Sequence, residues 1–310
     1  MRVPGTADEI APPPVTLGVV TVTYSPGEHL ENFLTSIDGA FSGAAPRVLM
    51  ADNGSVDGSP EAADAAHATA ELLRTGANLG YGGAINFAVA RLRADAAAGT
   101  APFPDFLLIS NPDVVFGPGS IDELIAAAAR HPEAGALGPL IRDPDGTVYP
   151  SARNVPSMRY GIGHALLGTV WKSNPWTRAY KQSEADLSER EAGWLSGSCL
   201  LVRPEAFAAI GGFDDRYFMY MEDVDFGDRL ARAGWRNVYV PSAEIVHAKG
   251  HAAGKVPELM LPAHHASAYR FFADRHPGPA AAPLRAAMKV GLAARSRISV
   301  LAATRRRKGE

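Results

Sequence analysis

Residues 219–228 read Met-Tyr-Met-Glu-Asp-Val-Asp-Phe-Gly-Asp, so Glu222, Asp223, Asp225 and Asp228 follow directly on the apolar run Phe218–Met221, with Asp214 and Asp215 just upstream. Acids in the first turn of a helix are favoured by the helix dipole. Val224, Leu230 and Ala231 supply a face that such a helix would bury. The dipole accounts for the residue type but not for the aromatic and Met approach. A carboxyl half-buried beside such side chains has its pKa raised and suits the work of a general base. Upstream, the small-residue turn Gly193-Trp194-Leu195-Ser196-Gly197-Ser198 leaves space for a substrate.

Other candidates sit where apolar strands end. They are Thr23-Tyr24-Ser25-Pro26, Asp52-Asn53-Gly54-Ser55 and Asn111-Pro112-Asp113. In a parallel sheet, ligands bind beyond the carboxyl ends of the strands. Asp-Asn-Gly-Ser is also plain turn chemistry, but a carboxylate at a central strand end can accept a nucleobase N–H. Asp113 follows the most apolar strand and offers a hard oxygen donor for a divalent cation bridging phosphates. His247 is a second possible ligand, although a lone His is more often structural. Residues 78–86, Asn-Leu-Gly-Tyr-Gly-Gly-Ala-Ile-Asn, form a glycine-rich turn opening a helix, a place suited to anions. The turn lacks the Gly-x-Gly-x-x-Gly spacing of dinucleotide folds, which argues against a dehydrogenase.

The elements that must position these residues alternate. Strands are expected near 15–24, 47–55 (ending in a turn), 71–75 and 105–113. Helical patterns separate them, the last opened by Ser120 as N-cap, which implies βαβ units and a mostly parallel sheet. Beyond Gly135 the pattern changes to a hairpin around Asp145-Gly146, an irregular stretch over 155–190, and further strands and helices to about 250. Three segments follow: a loose leader over 1–14, a main domain over 15–250, and a helical basic extension over 251–310.

Hydrophobic content of 46% against 20% charged excludes global disorder. The single Cys199 excludes an intrachain disulfide and a multi-cysteine metal site, and fits a reducing compartment. No apolar run reaches the roughly 20 residues of a membrane span, and the opening residues lack the apolar stretch of a signal peptide. The net charge of −3 divides unevenly: from Ala281 onward eight Lys or Arg face one acid, +7, leaving −10 for the rest. Such a tail suggests an anionic membrane surface as partner; nucleic acid is not expected, because no aromatic residues interleave the charges.

Taken in order, Asp52-Asn53-Gly54-Ser55-Val56-Asp57-Gly58, Asn78-x-Gly80, Asn111-Pro112-Asp113, Gly193-Trp194-Leu195-Ser196-Gly197 and Met221-Glu222-Asp223-Val224-Asp225 resemble the motifs of family 2 GT-A glycosyltransferases over roughly residues 15–250. Within that family, residues 138–153, 193–203 and 211–230 look like the rhamnosyltransferases of actinobacterial wall assembly. The resemblance implies a GT-A fold and inverting transfer of L-rhamnose from dTDP-L-rhamnose to a polyprenyl-diphosphate-GlcNAc. The product is the linker between arabinogalactan and peptidoglycan. Asp223 would be the catalytic base with Glu222 beside it. Thr23, Tyr24, Asp52, Asn78, Gly80 and Asn111 would line the donor site, and Trp194, Gly197 and Ser198 the acceptor site. Asp113, with His247, would hold Mg2+ or Mn2+, although Asn111 stands where the family's metal motif has its first acid. The expected location is cytoplasmic, peripheral on the inner face of the plasma membrane. Galactofuranosyl or GlcNAc transfer, and a non-catalytic nucleotide-sugar or lipid-binding module, are the alternatives.

Overall fold

The computed structural model describes residues 15–155, 187–248 and 257–307. The leader over 1–14 and the Trp-bearing stretch within 156–186 lie outside the described residues.

Four strands rich in branched side chains form the first half: β1 (Leu17–Thr23), β2 (Arg47–Asp52), β3 (Ala70–Arg74) and β4 (Phe106–Ser110). They pair in parallel in the order β3-β2-β1-β4. Helices α1 (His29–Ala40), α2 (Ser59–Ala66) and α3 (Gly80–Ala98) make the crossovers. Parallel pairing aligns the carboxyl ends: Thr23 is in register with Asp52, and Asp52 with Arg74. Beyond β4 come β5 (Val114–Phe116), α4 (Ser120–Arg130) and β6 (Ala134–Arg142). Ser120 does not cap α4: the cap position is Gly119, whose φ of +68° suits a residue without Cβ. The Ser120 side chain is buried inside the first turn.

The hairpin at Asp145-Gly146 is present, joining β6 to β7 (Val148–Tyr149). Then follow β8 (Ala152–Arg153), β9 (Arg190–Ala192), β10 (Trp194–Leu195), β11 (Cys199–Val202), α5 (Pro204–Ala209), α6 (Glu222–Arg232) and β12 (Arg236–His247). The sheet continues from β4 through β11, β6 and β12 to β5, with β11 and β5 antiparallel to their neighbours. β8 and β10 form a separate two-stranded ribbon. β12 runs parallel to β6 with an interruption: Val240 pairs Pro139 and Glu244 pairs Leu140, so Pro241, Ser242 and Ala243 interpose without partners in β6. The bulge carries the strand past β6 to β5, where His247 is in register with Val114.

Alternation along β1 sends Val19 to one face and Val20 to the other. Val19 joins the core under α1 and α4, with Phe33, Ile37, Ile121 and Leu124. Val20 joins the core under α3 and α6, with Ile85, Val89, Phe226 and Leu230. The layers are helix, mostly parallel sheet, helix.

The C-terminal segment begins against this body. Helix α7 (Pro257–Arg275) buries Phe271 in a cluster with Trp194, Tyr217 and Val224. Its Ser267 hydroxyl donates to the Met219 carbonyl (2.8 Å). A last helix, α8 (Ala282–Arg307), follows. No described helix is long and apolar enough to cross a membrane.

Candidate active site

The carboxyl ends of β1 and β2 build a closed polar turn. Asp52 is 2% exposed. It accepts the Thr23 hydroxyl (2.9 Å), the Ser55 hydroxyl (2.5 Å) and the amides of Gly54 (3.3 Å) and Ser55 (3.1 Å). Asn53 clasps the glycine-rich turn from below. Its amide N–H donates to the Gly80 carbonyl (3.0 Å) and its carbonyl accepts the Leu79 N–H (3.2 Å). Asn78 Oδ1 accepts the Gly80 N–H (3.0 Å). Gly80 has φ +74°, and a Cβ there would lie 2.2 Å from the Phe218 carbonyl oxygen. The turn is thus pressed against the segment that leads to the acids, and only glycine fits. Tyr24 stands exposed at the mouth of the strand ends.

Tyr220 (φ +65°) and Met221 (φ +67°) are both left-handed without being Gly, a strained pair directly before α6. The two turns throw Glu222 and Asp223 inward. Asp223 Oδ2 accepts the Gly197 N–H (3.1 Å) and Oδ1 the Val224 N–H (2.8 Å). The Gly197 carbonyl in turn accepts the Tyr81 hydroxyl. A Cβ on Gly197 would sit 3.3 Å from the Asp223 Cβ and 3.4 Å from the Tyr81 ring, so the peptide lies flat between them. Burial raises the Asp223 carboxyl above its usual range, against the Gly197 and Val224 N–H groups and the Arg153 guanidinium, which lower it. Glu222 is 9% exposed and its Oε2 has no partner. Burial, then the charge of Asp223, pushes its carboxyl up to about 8.

The other acids of the run are structural. Asp225 pairs with Arg229 (2.6 Å), and Asp228 with Arg232 (2.8 Å) and with Arg275 of α7 (2.5 Å). Asp214 pairs with Arg216 (2.5 Å), and Asp215 takes the Asn86 amide (2.6 Å).

The second constellation lies at the β4, β5 and β12 ends. His247 Nε2 is 3.0 Å from Asp113 Oδ1 and 3.2 Å from Asn111 Nδ2, and its Nδ1 is buried without a partner. Burial acts to raise the Asp113 carboxyl, but the His247 hydrogen bond and charge outweigh it and hold it below the usual range. The bulge in β12 is what brings His247 here. Among the described residues no three His, Cys, Asp or Glu side chains gather at one point. Two strong donors 3.0 Å apart fit a divalent cation that draws its remaining oxygens from a bound diphosphate and water. Ser198 joins the two constellations: its carbonyl accepts the Asn111 N–H (2.9 Å), and its neighbour Gly197 holds Asp223. Tyr81 lies between them. Burial, then the charges of Glu222, Asp223, Cys199 and Asp113, push its phenol well above its ordinary value.

The structure therefore brings Glu222, Asp223, Gly197, Ser198, Asn111, Asp113 and His247 to one side of the sheet. Thr23, Asp52, Asn78 and Gly80 form the adjoining turns. Trp194 is buried with Tyr217 and Val224, beside the acids rather than open to a ligand, and its indole N–H donates to the Asn154 carbonyl (3.1 Å). Sequence reasoning gave no role to Tyr81 or Arg153, and it placed Asn53 at a strand end without foreseeing its hold on the glycine-rich turn. The Arg153 guanidinium stacks on the rings of Tyr149 (5.5 Å) and Trp194 (5.8 Å).

The glycosyl transferase family 2 model matches residues 18–211, which run from the second residue of β1 past β11 and include the turns at Asp52, Gly80, Asp113 and Gly197. The chain belongs to glycosyl transferase family 2. This transferase is 57% identical, over 94% of both chains, to the N-acetylglucosaminyl-diphospho-decaprenol L-rhamnosyltransferase of Mycobacterium tuberculosis. It is 31% identical to the rhamnosyltransferase WbbL of Escherichia coli over 47% of this chain and 53% of that one. In fold it resembles a mannosyltransferase from Pyrobaculum calidifontis in complex with GDP-Man and Mn2+ (TM-score 0.55, 16% identity, 94% of this chain and 77% of that one). It also resembles TarS of S. aureus in complex with UDP (TM-score 0.51, 14% identity, 82% and 64%). The GT-A arrangement expected from the motifs is the arrangement found.

Proposed function

We propose that this glycosyltransferase moves L-rhamnose from dTDP-L-rhamnose to GlcNAc-diphospho-polyprenol, with decaprenol as the lipid, in one inverting displacement. The observation that carries the choice of sugar and acceptor is the 57% identity to the mycobacterial rhamnosyltransferase, which extends through α6 and into the C-terminal helices. The geometry supports the chemistry. The acceptor hydroxyl enters over Gly197 and gives its proton to an oxygen of Asp223. The oxygen forms a bond to the anomeric carbon as the bond from that carbon to the diphosphate oxygen breaks, and dTDP leaves. The Gly197 N–H fixes the base without occupying all its lone pairs. Asp113 and His247 would hold Mg2+ or Mn2+; when bound, the cation supplies neutralising charge for the leaving diphosphate. Thr23, Tyr24, Asp52 and the Asn78–Gly80 turn border the nucleotide. A single displacement of this kind inverts the configuration at the anomeric carbon.

The acceptor is lipid-linked, so the site must work at a membrane. Arg297 and the 70% exposed Val290 fall on the same side of α8 and offer a basic, partly apolar surface to the cytoplasmic leaflet, each cation near an anionic surface contributing about 1 kcal/mol, while Lys289 lies over the Tyr269 ring of α7 (5.9 Å). Arg285 is committed elsewhere, donating to the carbonyls of His276 and Gly278 (2.8 Å for the latter). The deciding experiment is a donor panel on a short-chain GlcNAc-diphosphoprenyl acceptor. Transfer is expected to be fastest from dTDP-L-rhamnose. Faster transfer from UDP-galactofuranose or UDP-GlcNAc overturns the choice of sugar and leaves the family standing.

A further inference from the structure

Glu222 and Asp223 are adjacent buried acids in different company. Asp223 is held from two sides by N–H groups and lies within reach of a guanidinium. Glu222 is more than nine-tenths buried, and its Oε2 meets neither a donor nor an acceptor. Such an atom costs free energy unless something completes it. The strained Tyr220-Met221 turn keeps it there, and strain of this kind persists where the surroundings hold it for a purpose. Two adjacent acids cannot both be ionised cheaply in a recess. The one with N–H partners keeps the charge and the other keeps a proton, and pairs split in this way identify the base and the donor.

We propose that Glu222 is a specificity residue of the transfer site, donating a hydrogen bond from its carboxyl O–H to a hydroxyl of the sugar bound beside Asp223. The proposal rests on the sugar-transfer reading above. A neutral carboxyl can offer Oε2 as donor, and a sugar hydroxyl is a matching acceptor. Sites that hydrogen-bond a substrate hydroxyl reject analogues lacking it far more strongly than apolar pockets discriminate by size. The hydroxyl belongs either to the acceptor GlcNAc or to the transferred sugar.

The charge of Asp223 bears directly on the titration of Glu222. The groups near it are Asp223 on the same helix, Tyr220 before it and Tyr81 from α3. The His264 ring of α7 packs edge-on against Tyr220 (5.3 Å between centroids). Both phenols are raised above their ordinary value of 10, and His264 is lowered below 6.5 by burial and then by His265 and Arg295. Glu222, pushed up to about 8 by burial and then by the charge of Asp223, would lose its donor proton in an alkaline limb that Glu222→Gln should abolish.

Three measurements on the full-length enzyme test this. In steady-state kinetics, Glu222→Ala is expected to lose ~100-fold in kcat/KM, the low end for a removed site donor. Glu222→Gln, which restores an N–H, is expected to recover about tenfold of that loss. The alkaline limb of kcat/KM should be present in the wild type and absent in Glu222→Gln. A rise in KM of the Ala variant for dTDP-rhamnose assigns the hydroxyl to the donor sugar, and a rise in KM for the prenyl acceptor assigns it to GlcNAc. Either outcome supports the contact. The third measurement needs no substrate: in 13C-Glu-labelled enzyme, the carboxyl signal missing from Glu222→Gln should titrate near pH 8. A Gln variant as impaired as Ala, an alkaline limb that survives in Gln, or a titration below pH 6 overturns the proposal. If the wild type moves no rhamnose in the donor panel, the sugar-transfer reading falls instead, and the carboxyl titration still decides the state of Glu222.

Discussion

Asp52 and Glu222 are both acids buried at the edge of the same site, and they are treated in opposite ways. Asp52 closes a turn: two hydroxyls and two amides converge on it, and the local chain from Thr23 to Ser55 is organised by its charge. Glu222 organises nothing around it. Its buried Oε2 has no partner, its carboxyl is pushed up to about 8, and the backbone before it is strained. One carboxylate stabilises the scaffold; the other is held at a cost that the scaffold must offset, which is where binding and specificity are expected to reside.

The contrast can be broken most sharply at the base beside Glu222. Asp223→Asn is expected to lower turnover by at least ~100-fold while leaving the melting temperature and dTDP affinity close to wild type. Turnover within a few-fold of wild type would transfer the base role to Glu222 and erase the division of labour. Next in size is the scaffold acid. Asp52→Ala strips the acceptor from two buried hydroxyls and two amides, and should cost roughly 2–3 kcal/mol in denaturant unfolding. A loss well under 1 kcal/mol would show that Asp52 is no more structural than its counterpart.

Asp113→Ala should weaken dTDP binding by ~10-fold in Mn2+, in the range seen when a metal's support is removed, and hardly at all in EDTA. His247→Ala should follow the same pattern in calorimetry. Equal loss with and without metal would make the pair structural.

The scaffold effect of Glu222 has the opposite sign to that of Asp52. Its folded pKa, about 8, lies above the ordinary 4.5. Its contribution to stability is fully present below pH 4.5 and is lost as pH climbs to about 8. Glu222→Gln should therefore gain on the wild type across that window, by up to roughly 4 kcal/mol at pH 7.5. Parallel melting curves from pH 5 to 8 would sink the claim. Smallest of all at the site should be the loss of α8. A chain ending at Gly278 should bind dTDP as the full chain does, yet lose salt-sensitive sedimentation with anionic vesicles. Undiminished sedimentation would place the membrane contact elsewhere.

Much of this was legible in the sequence because it is local. Branched runs made β1 to β4, and the residues after each run fell at the carboxyl ends where parallel pairing puts ligands. The Asp145-Gly146 hairpin and the acid-rich start of α6 follow from turn and dipole chemistry in the same way. What escaped depends on distant partners. The Tyr81–Gly197–Asp223 chain joins residues 116 and 26 positions apart, and nothing around Tyr81 marks it as more than a helix residue. Trp194 sits in a small-residue turn that reads as a pocket, but the arrival of Phe271 from α7 covers it. Ser120 has the chemistry of a cap, and Gly119 took the place because the chain there needs a positive φ.

The bulge in β12 carries one further consequence, for heredity. Side chains alternate along a strand, so the count of residues between Val240 and Glu244 decides which side of the sheet His247 faces. A single in-frame codon gained or lost among Pro241, Ser242 and Ala243, if the bulge does not absorb it, would shift the second flank by one residue against β6 and β5 and swing His247 away from Asp113. Descendants of this chain can thus shed the histidine side of the site by a length change at a distance, with every motif residue still spelled correctly.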